Sequence, residues 1–332
     1  MIFSHARRAS LTEQSFTAMV EADRSARSNH AELVVGITFV EAIVFALAVR
    51  GNALVGIALL FLVFVPTEKL FALRPQKVLR PGFFTDLTHL LVNGSIVAVA
   101  TIVFVAIASL PFLWLRGFDA EAAMPTALAL PLALAFVFVG NYWGHRLSHQ
   151  VPWLWRFHSV HHSIEQMDWV ASGRLHPLDS GFTQAFTVLP LFLLGYHAGV
   201  LGGTAVFFTL LALFQHANVR LRFPGLRWVI NTPEWHHWHH AIDAEARDRN
   251  FGLPIVDKLF GTAYLPEGAR PIGFGTHDPV PQGNYWSQLA YPFRRKAHDR
   301  SDPTGPSPGA DHPVRVRRDR PRWAILPAVR RD

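Results

Sequence analysis

The stretch from residue 87 to 114 constrains this chain most: it is predominantly apolar and holds no Asp, Glu, Lys or Arg up to Trp114. About 20 apolar residues cross the hydrocarbon core of a bilayer as a helix, so this run reads as a membrane helix. Five more apolar runs can be drawn, at roughly 32–49, 53–66, 124–142, 182–198 and 201–215. The second and last of the six are short and the fifth is marginal. Gly51-Asn52 can close the first two runs into a helical hairpin, and Gly199, Gly202 and Gly203 can do the same for the last two. Either pair spans fully or dips in and returns. Charged residues make up 17% of the 332, against about 25% in an average soluble domain. The expected fold is therefore an all-α integral membrane bundle of four to six membrane helices.

Charge gives an expected orientation. Of 31 Lys and Arg, only Arg50 and Arg116 fall in the segments joining the first to the second and the third to the fourth run. By the positive-inside rule the side holding the rest is cytoplasmic. That side includes both termini, the loop with Lys69, Arg74, Lys77 and Arg80, the segment after Tyr142, and everything beyond His216. Residues 1–31 carry charges and no apolar core of a signal peptide, and read as a cytoplasmic N-terminal segment. Residues 32–293 form the membrane helical domain. Residues 294–332 carry eleven Lys/Arg against five Asp, with Pro303, Pro306, Pro308 and Pro313 among them, the composition of a disordered tail. The body has no basic face interleaved with aromatics, so nucleic acid is not an expected partner.

The chain has no cysteine, which excludes disulfides, iron–sulfur clusters, thiolate zinc sites and cysteine nucleophiles. It has 18 histidines, and nine of them lie in two windows totalling 23 residues. The first window holds HRLSH (145–149) and HSVHH (158–162). The second is HHWHH (236–240). His145 and His149 are spaced i, i+4. His158, His161 and His162, like His236, His239 and His240, are spaced i, i+3, i+4, so each set shares one helix face. His237 falls about 100° off that face. Thr232-Pro233-Glu234 is a helix start, with Thr at the N-cap, Pro at N1 and an acid in the first turn. One metal takes three or four protein ligands, so eight imidazoles suit two metals. Neutral imidazole binds iron, zinc and copper.

The boxes HRLSH, HSVHH and HHWHH contain no carboxylate. The carboxylate-bridged di-iron bundle, which takes Glu-x-x-His from two helices, does not fit them. A zinc-dependent membrane hydrolase would want a general-base Glu inside a box, as in H-E-x-x-H. A metal transporter would want polar residues along a path through the spans. Isolated histidines such as His89 and His197 read as interfacial hydrogen-bonding groups. Trp143, Trp153, Trp155, Trp169, Trp235 and Trp238 read as interfacial anchors or as an entrance lining, and Arg146, Arg156 and Arg174 as loop charge or headgroup contacts.

These boxes resemble those of the fatty acid hydroxylase/sterol desaturase superfamily of membrane histidine-box di-iron enzymes. RPGFFTDLTHLLVN (80–93), GRLHP (173–177), QHAN (215–218), NTPEWHHWHH (231–240) and RNFGLPIVDKLFGT (249–262) resemble the family's accompanying segments in order. The resemblance covers about residues 65–266 and is closest to bacterial members and the alkylglycerol monooxygenase type. It departs in the short first box and in Val256, where Trp often precedes the Asp. The resemblance implies a cytoplasmic helical cap with two iron ions held by His145, His149, His158, His161, His162, His236, His239 and His240. It adds His176 and His216 as further ligands or supporting groups. It implies O₂ as co-substrate, a lipid from the bilayer as substrate, and hydroxylation, desaturation or ether cleavage as the outcome. No haem, flavin or ferredoxin motif is present, so electrons are expected from a separate ferredoxin- or cytochrome-type donor. Asp168, Asp179, Asp243 and Asp257 are candidates to orient ring N–H groups, Asp257 also as a cap. Asn218 and Asn250 are candidates for a metal contact or a turn. The expected location is the bacterial inner membrane.

Overall fold

The computed structural model describes residues 53–223 and 225–294. The run at 32–49, the Gly51-Asn52 turn, the N-terminal segment and the tail beyond Arg294 lie outside the described residues. Among the described residues the chain is helical, with only two isolated antiparallel bridges, Ala72 to Val219 and Ala241 to Phe274. The helices are α1 (Ala53–Leu70), α2 (Phe83–Ser109), α3 (Ala120–Ala123), α4 (Thr126–Gln150), α5 (Pro152–His162), α6 (Pro177–Leu193), α7 (Ala198–His216), α8 (Pro233–His239), α9 (Pro254–Leu259) and α10 (Tyr285–Ala290). Three stretches are long and apolar enough to cross a membrane: Phe83–Ala123, Thr126–Gln150 and Ala198–His216. The protein is an all-α membrane helical bundle.

The membrane helices are turned for lipid. On α2 the inward row is Asp86, His89, Asn93, Val97, Thr101, Val105 and Ser109, all buried, at the three- and four-residue spacing of one helix face. The outward residues Val99, Ile102, Val103 and Ile107 are exposed. Polar groups inside and aliphatics outside is the arrangement a hydrocarbon solvent favours. His89 thereby leaves its expected interfacial role: it is fully buried, with Nε2 2.7 Å from Gln288 Oε1.

Helix α6 runs between α2 and α4, and small residues set the approach. A Cβ on Gly181 would stand 2.6 Å from the Cβ of Ala100 on α2, and one on Gly140 of α4 would run into the backbone of Phe186 on α6. Close backbone contact through small residues is how membrane helices gain packing energy without a hydrophobic drive. The turn from α6 to α7 falls at Gly195, which takes φ 84°. The expected hinge at Gly199, Gly202 and Gly203 instead lies within α7.

Val151 leaves α4 in extended conformation and Pro152 opens α5 at its first turn, as proline's fixed φ favours. Two histidine boxes therefore follow each other on abutting helices. Trp155, Trp169, Trp235 and Trp238 are buried rather than interfacial, and Trp169 stacks on Phe64 at 5.4 Å. The interior also holds a buried ion-pair network. Arg80 bonds both oxygens of Asp168 and reaches Asp86, and Asp86 receives Arg174 in turn. This joins the 80–93 segment to 173–177 and accounts for the side chains of Arg174 and Asp168, which pair with acid and base of the same network and not with an imidazole. Gly82 (φ 81°) leaves the room: a Cβ there would be 2.9 Å from the Arg174 guanidinium.

Candidate metal centre

Nine imidazoles converge in two groups. His145, His149, His158, His162 and His239 form the first, and His161, His216, His236 and His240 the second; within each group the ligand atoms lie within 4.8 Å of one another. The groups abut, with the rings of His162 and His240 stacked at 4.4 Å. The eight box histidines all take part, and His216, at the C-terminal end of α7, is the ninth. His176 lies outside both groups. It caps α6, accepting from Leu178 N at 3.2 Å, and its Nε2 lies 3.2 Å from Leu289 O. His237 is also outside, buried against Phe274, as its angular offset on α8 requires. The α8 helix starts at Pro233, but the Thr232 hydroxyl makes no capping bond.

Hydrogen bonds fix the protonation pattern. His145 Nδ1–H donates to Phe251 O at 2.6 Å, His158 Nδ1–H to Asp179 at 2.9 Å, His161 Nδ1–H to Arg174 O at 3.1 Å, His216 Nδ1–H to Ala212 O at 2.7 Å and His239 Nδ1–H to Arg249 O at 2.7 Å. A carbonyl can only accept, so the proton sits on Nδ1 and Nε2 carries a lone pair. Those lone pairs face each other: His145 to His158 at 3.1 Å, and His161 to His216 at 3.2 Å. Two bare lone pairs so placed repel unless a cation lies between them. Nitrogens about 2.0–2.1 Å from a shared ion and at right angles stand about 3 Å apart, so the residues present fit metal ions. Burial and the neighbouring imidazoles hold His161, His162, His236, His239 and His240 well below the ordinary histidine pKa. They are neutral at pH 7, the form that binds metal.

The segment 249–262 orients two boxes through its backbone. Asn250 adopts φ 57° and its amide bonds Trp235 O, Tyr264 O and Tyr264 N. Its role is the turn, which aims the carbonyls of Arg249 and Phe251 at His239 and His145. Asp257 accepts from Phe251 N and Gly252 N, both at 2.9 Å, and so acts as a cap. Asp243 accepts from Ile272 N, and Asn218 pairs with the backbone of Arg74. Of the four acids singled out from the sequence, Asp179 orients a ring. Asp248 does the same for His149 at 3.2 Å and had no motif to announce it. The carbonyls of Arg174, Arg249 and Phe251 also escape sequence reading, although each falls in a family-like segment. Glu234 and His237 form a Glu-x-x-His spacing, yet Glu234 pairs with Arg222 at 3.1 Å and takes no part in either group.

A cavity of about 510 Å³ leads from the centre into the bundle. His145 and His158 of the first group and His161, His216 and His236 of the second border it, and α2, α4, α6 and α7 supply the walls.

A membrane bundle capped by clustered, neutral imidazoles defines the class: a membrane-embedded histidine-cluster protein with a metal-binding donor set. The fatty acid hydroxylase family profile matches residues 130–262. Ornithine lipid hydroxylase OlsE of Rhizobium tropici is 32% identical over 250 residues, covering 73% of this chain and 74% of that one. The chain belongs to the fatty acid hydroxylase family. Alkylglycerol monooxygenases are also similar. The Danio rerio protein is 29% identical over 186 residues, 55% of this chain and 41% of that one, and the Homo sapiens protein 32% over 144 residues, 42% and 31%. The chain thus spans less than half the length of these two monooxygenases. No solved structure matches it.

Proposed function

We propose that this protein is an O₂-dependent membrane lipid hydroxylase working with two irons, one in each histidine group. The observation that carries the reading is the nine imidazoles in two abutting groups that open onto a cavity among membrane helices. His145, His149, His158, His162 and His239 would hold one ion, and His161, His216, His236 and His240 the other. When bound, the irons supply the activation of O₂ that an unactivated C–H bond requires. One oxygen atom enters the C–H bond and the other leaves as water, which consumes two electrons and two protons from outside.

The chain's own residues do the rest. The Nδ1 contacts to Asp179 and to the carbonyls of Arg174, Arg249 and Phe251 lock four of the rings, as supporting hydrogen bonds do for metal-bound histidine. The buried cap excludes water. The cavity walls hold the lipid so that its reacting carbon faces both groups. The similarity to an ornithine lipid hydroxylase and to alkylglycerol monooxygenases favours a polar lipid, hydroxylated or cleaved beside a heteroatom. Zinc hydrolysis is disfavoured because neither group contains a carboxylate and one group has five donors, more than a closed zinc site takes. The centre lies on the cytoplasmic face of a bacterial inner membrane, and an acidic one-electron carrier of ferredoxin or cytochrome type docks on its cationic surface. The test compares the lipids of cells expressing the wild type and His161→Ala. The wild type yields species heavier by one oxygen that the variant lacks; identical lipid profiles contradict the proposal.

A further inference from the structure

The cavity is lined by a polar group that nothing described so far uses. Asn231 sits two residues before α8, the helix carrying His236, and both residues line the cavity. Asn231 is 5% exposed, and its Oδ1 has no hydrogen-bond partner. Its neighbour Thr232 makes no capping bond and Asn231 caps nothing, so α8 does not account for the amide. Gln215 also lines the cavity, with Nε2 3.5 Å from His236 Nε2. Farther from the histidines the same cavity is walled by Val97, Ala98, Val206 and Leu210. A buried amide oxygen left without a donor is costly, and native interiors rarely tolerate one without a reason.

We propose that Asn231, together with Gln215 on the same cavity wall, anchors a hydrogen-bond donor of the substrate next to the second histidine group. The ligand class is a lipid that carries a hydroxyl or amide N–H within a few bonds of the reacting carbon and trails its hydrocarbon chain along the apolar wall. The inference rests on the hydroxylase reading for the word substrate, but the binding site itself does not require turnover. It also sets regiochemistry. With the polar group fixed at the histidine end, the attacked carbon lies near that group and not in the middle of the chain.

The test is binding, measured without O₂ on the metal-loaded protein in detergent, with two probes of equal chain length. Dodecanamide offers an N–H donor; methyl dodecanoate offers acceptors only. The wild type binds dodecanamide about tenfold tighter, the scale of one hydrogen bond in a dry site. Asn231→Leu, close in volume, binds the two equally while keeping the wild-type metal content. Equal binding of both probes by the wild type, or discrimination retained in Asn231→Leu, overturns the proposal. So does loss of metal from Asn231→Leu, which would make the amide part of the metal holder. Gln215→Leu provides a second variant in which the preference weakens; an unchanged preference there removes Gln215 from the site. Product analysis of the wild type is kept separate: absence of any oxygenated lipid sinks the hydroxylase reading and leaves the binding result standing.

Discussion

Six of the nine histidines at the centre have Nδ1 held by a carboxylate or a backbone carbonyl. Asp179 holds His158 at 2.9 Å and is itself held by the Ser148 hydroxyl at 3.0 Å. Removing such a support typically costs about 10–100-fold in metal affinity. Asp179→Asn is therefore expected to lower affinity by that amount with the helices intact, measured by metal competition alongside circular dichroism. That the box histidines would face one another was legible in the sequence because i, i+3, i+4 spacing is a helix-face pattern. His216 came only with the family resemblance, since a single histidine ending an apolar helix has no spacing partner. Asp248 and the backbone carbonyls were not legible, because a backbone acceptor has no residue type and Asp248 meets His149 from 99 residues away.

At the scale of elements, α6 depends on its neighbours' lack of side chains. Gly140→Leu on α4 would drive a side chain into the α6 backbone. Overpacking of this kind costs about 1–3 kcal/mol, and the expected result is a lowered thermal midpoint in detergent. Gly202→Leu, which faces open space, is the matched control with little change. The network of Arg80, Asp86, Arg174 and Asp168 makes a second prediction. Asp86→Ala takes the carboxylate from the buried Arg174 guanidinium and leaves Arg80 with Asp168 alone, a loss of about 3–5 kcal/mol, and because Arg174 O orients His161 the metal content should fall with it. The helix positions followed from apolar runs, but their ends did not. The α6–α7 turn fell at Gly195 because a left-handed φ was needed there, while the glycines of α7 simply face outward.

For the whole molecule, the membrane class was legible from the scarcity of charge and the long apolar runs, since a bilayer demands both. The partition of nine imidazoles between two groups was not, because it depends on how α4, α5, α7 and α8 meet in space. The partition has a direct consequence for metal stoichiometry. Its most direct measurement is the iron content per chain after anaerobic reconstitution and removal of loose metal. The wild type is expected to hold about two irons, and either His149→Ala/His162→Ala or His216→Ala/His240→Ala about one. Fewer than one iron in the wild type, or double variants that keep both ions, would contradict it.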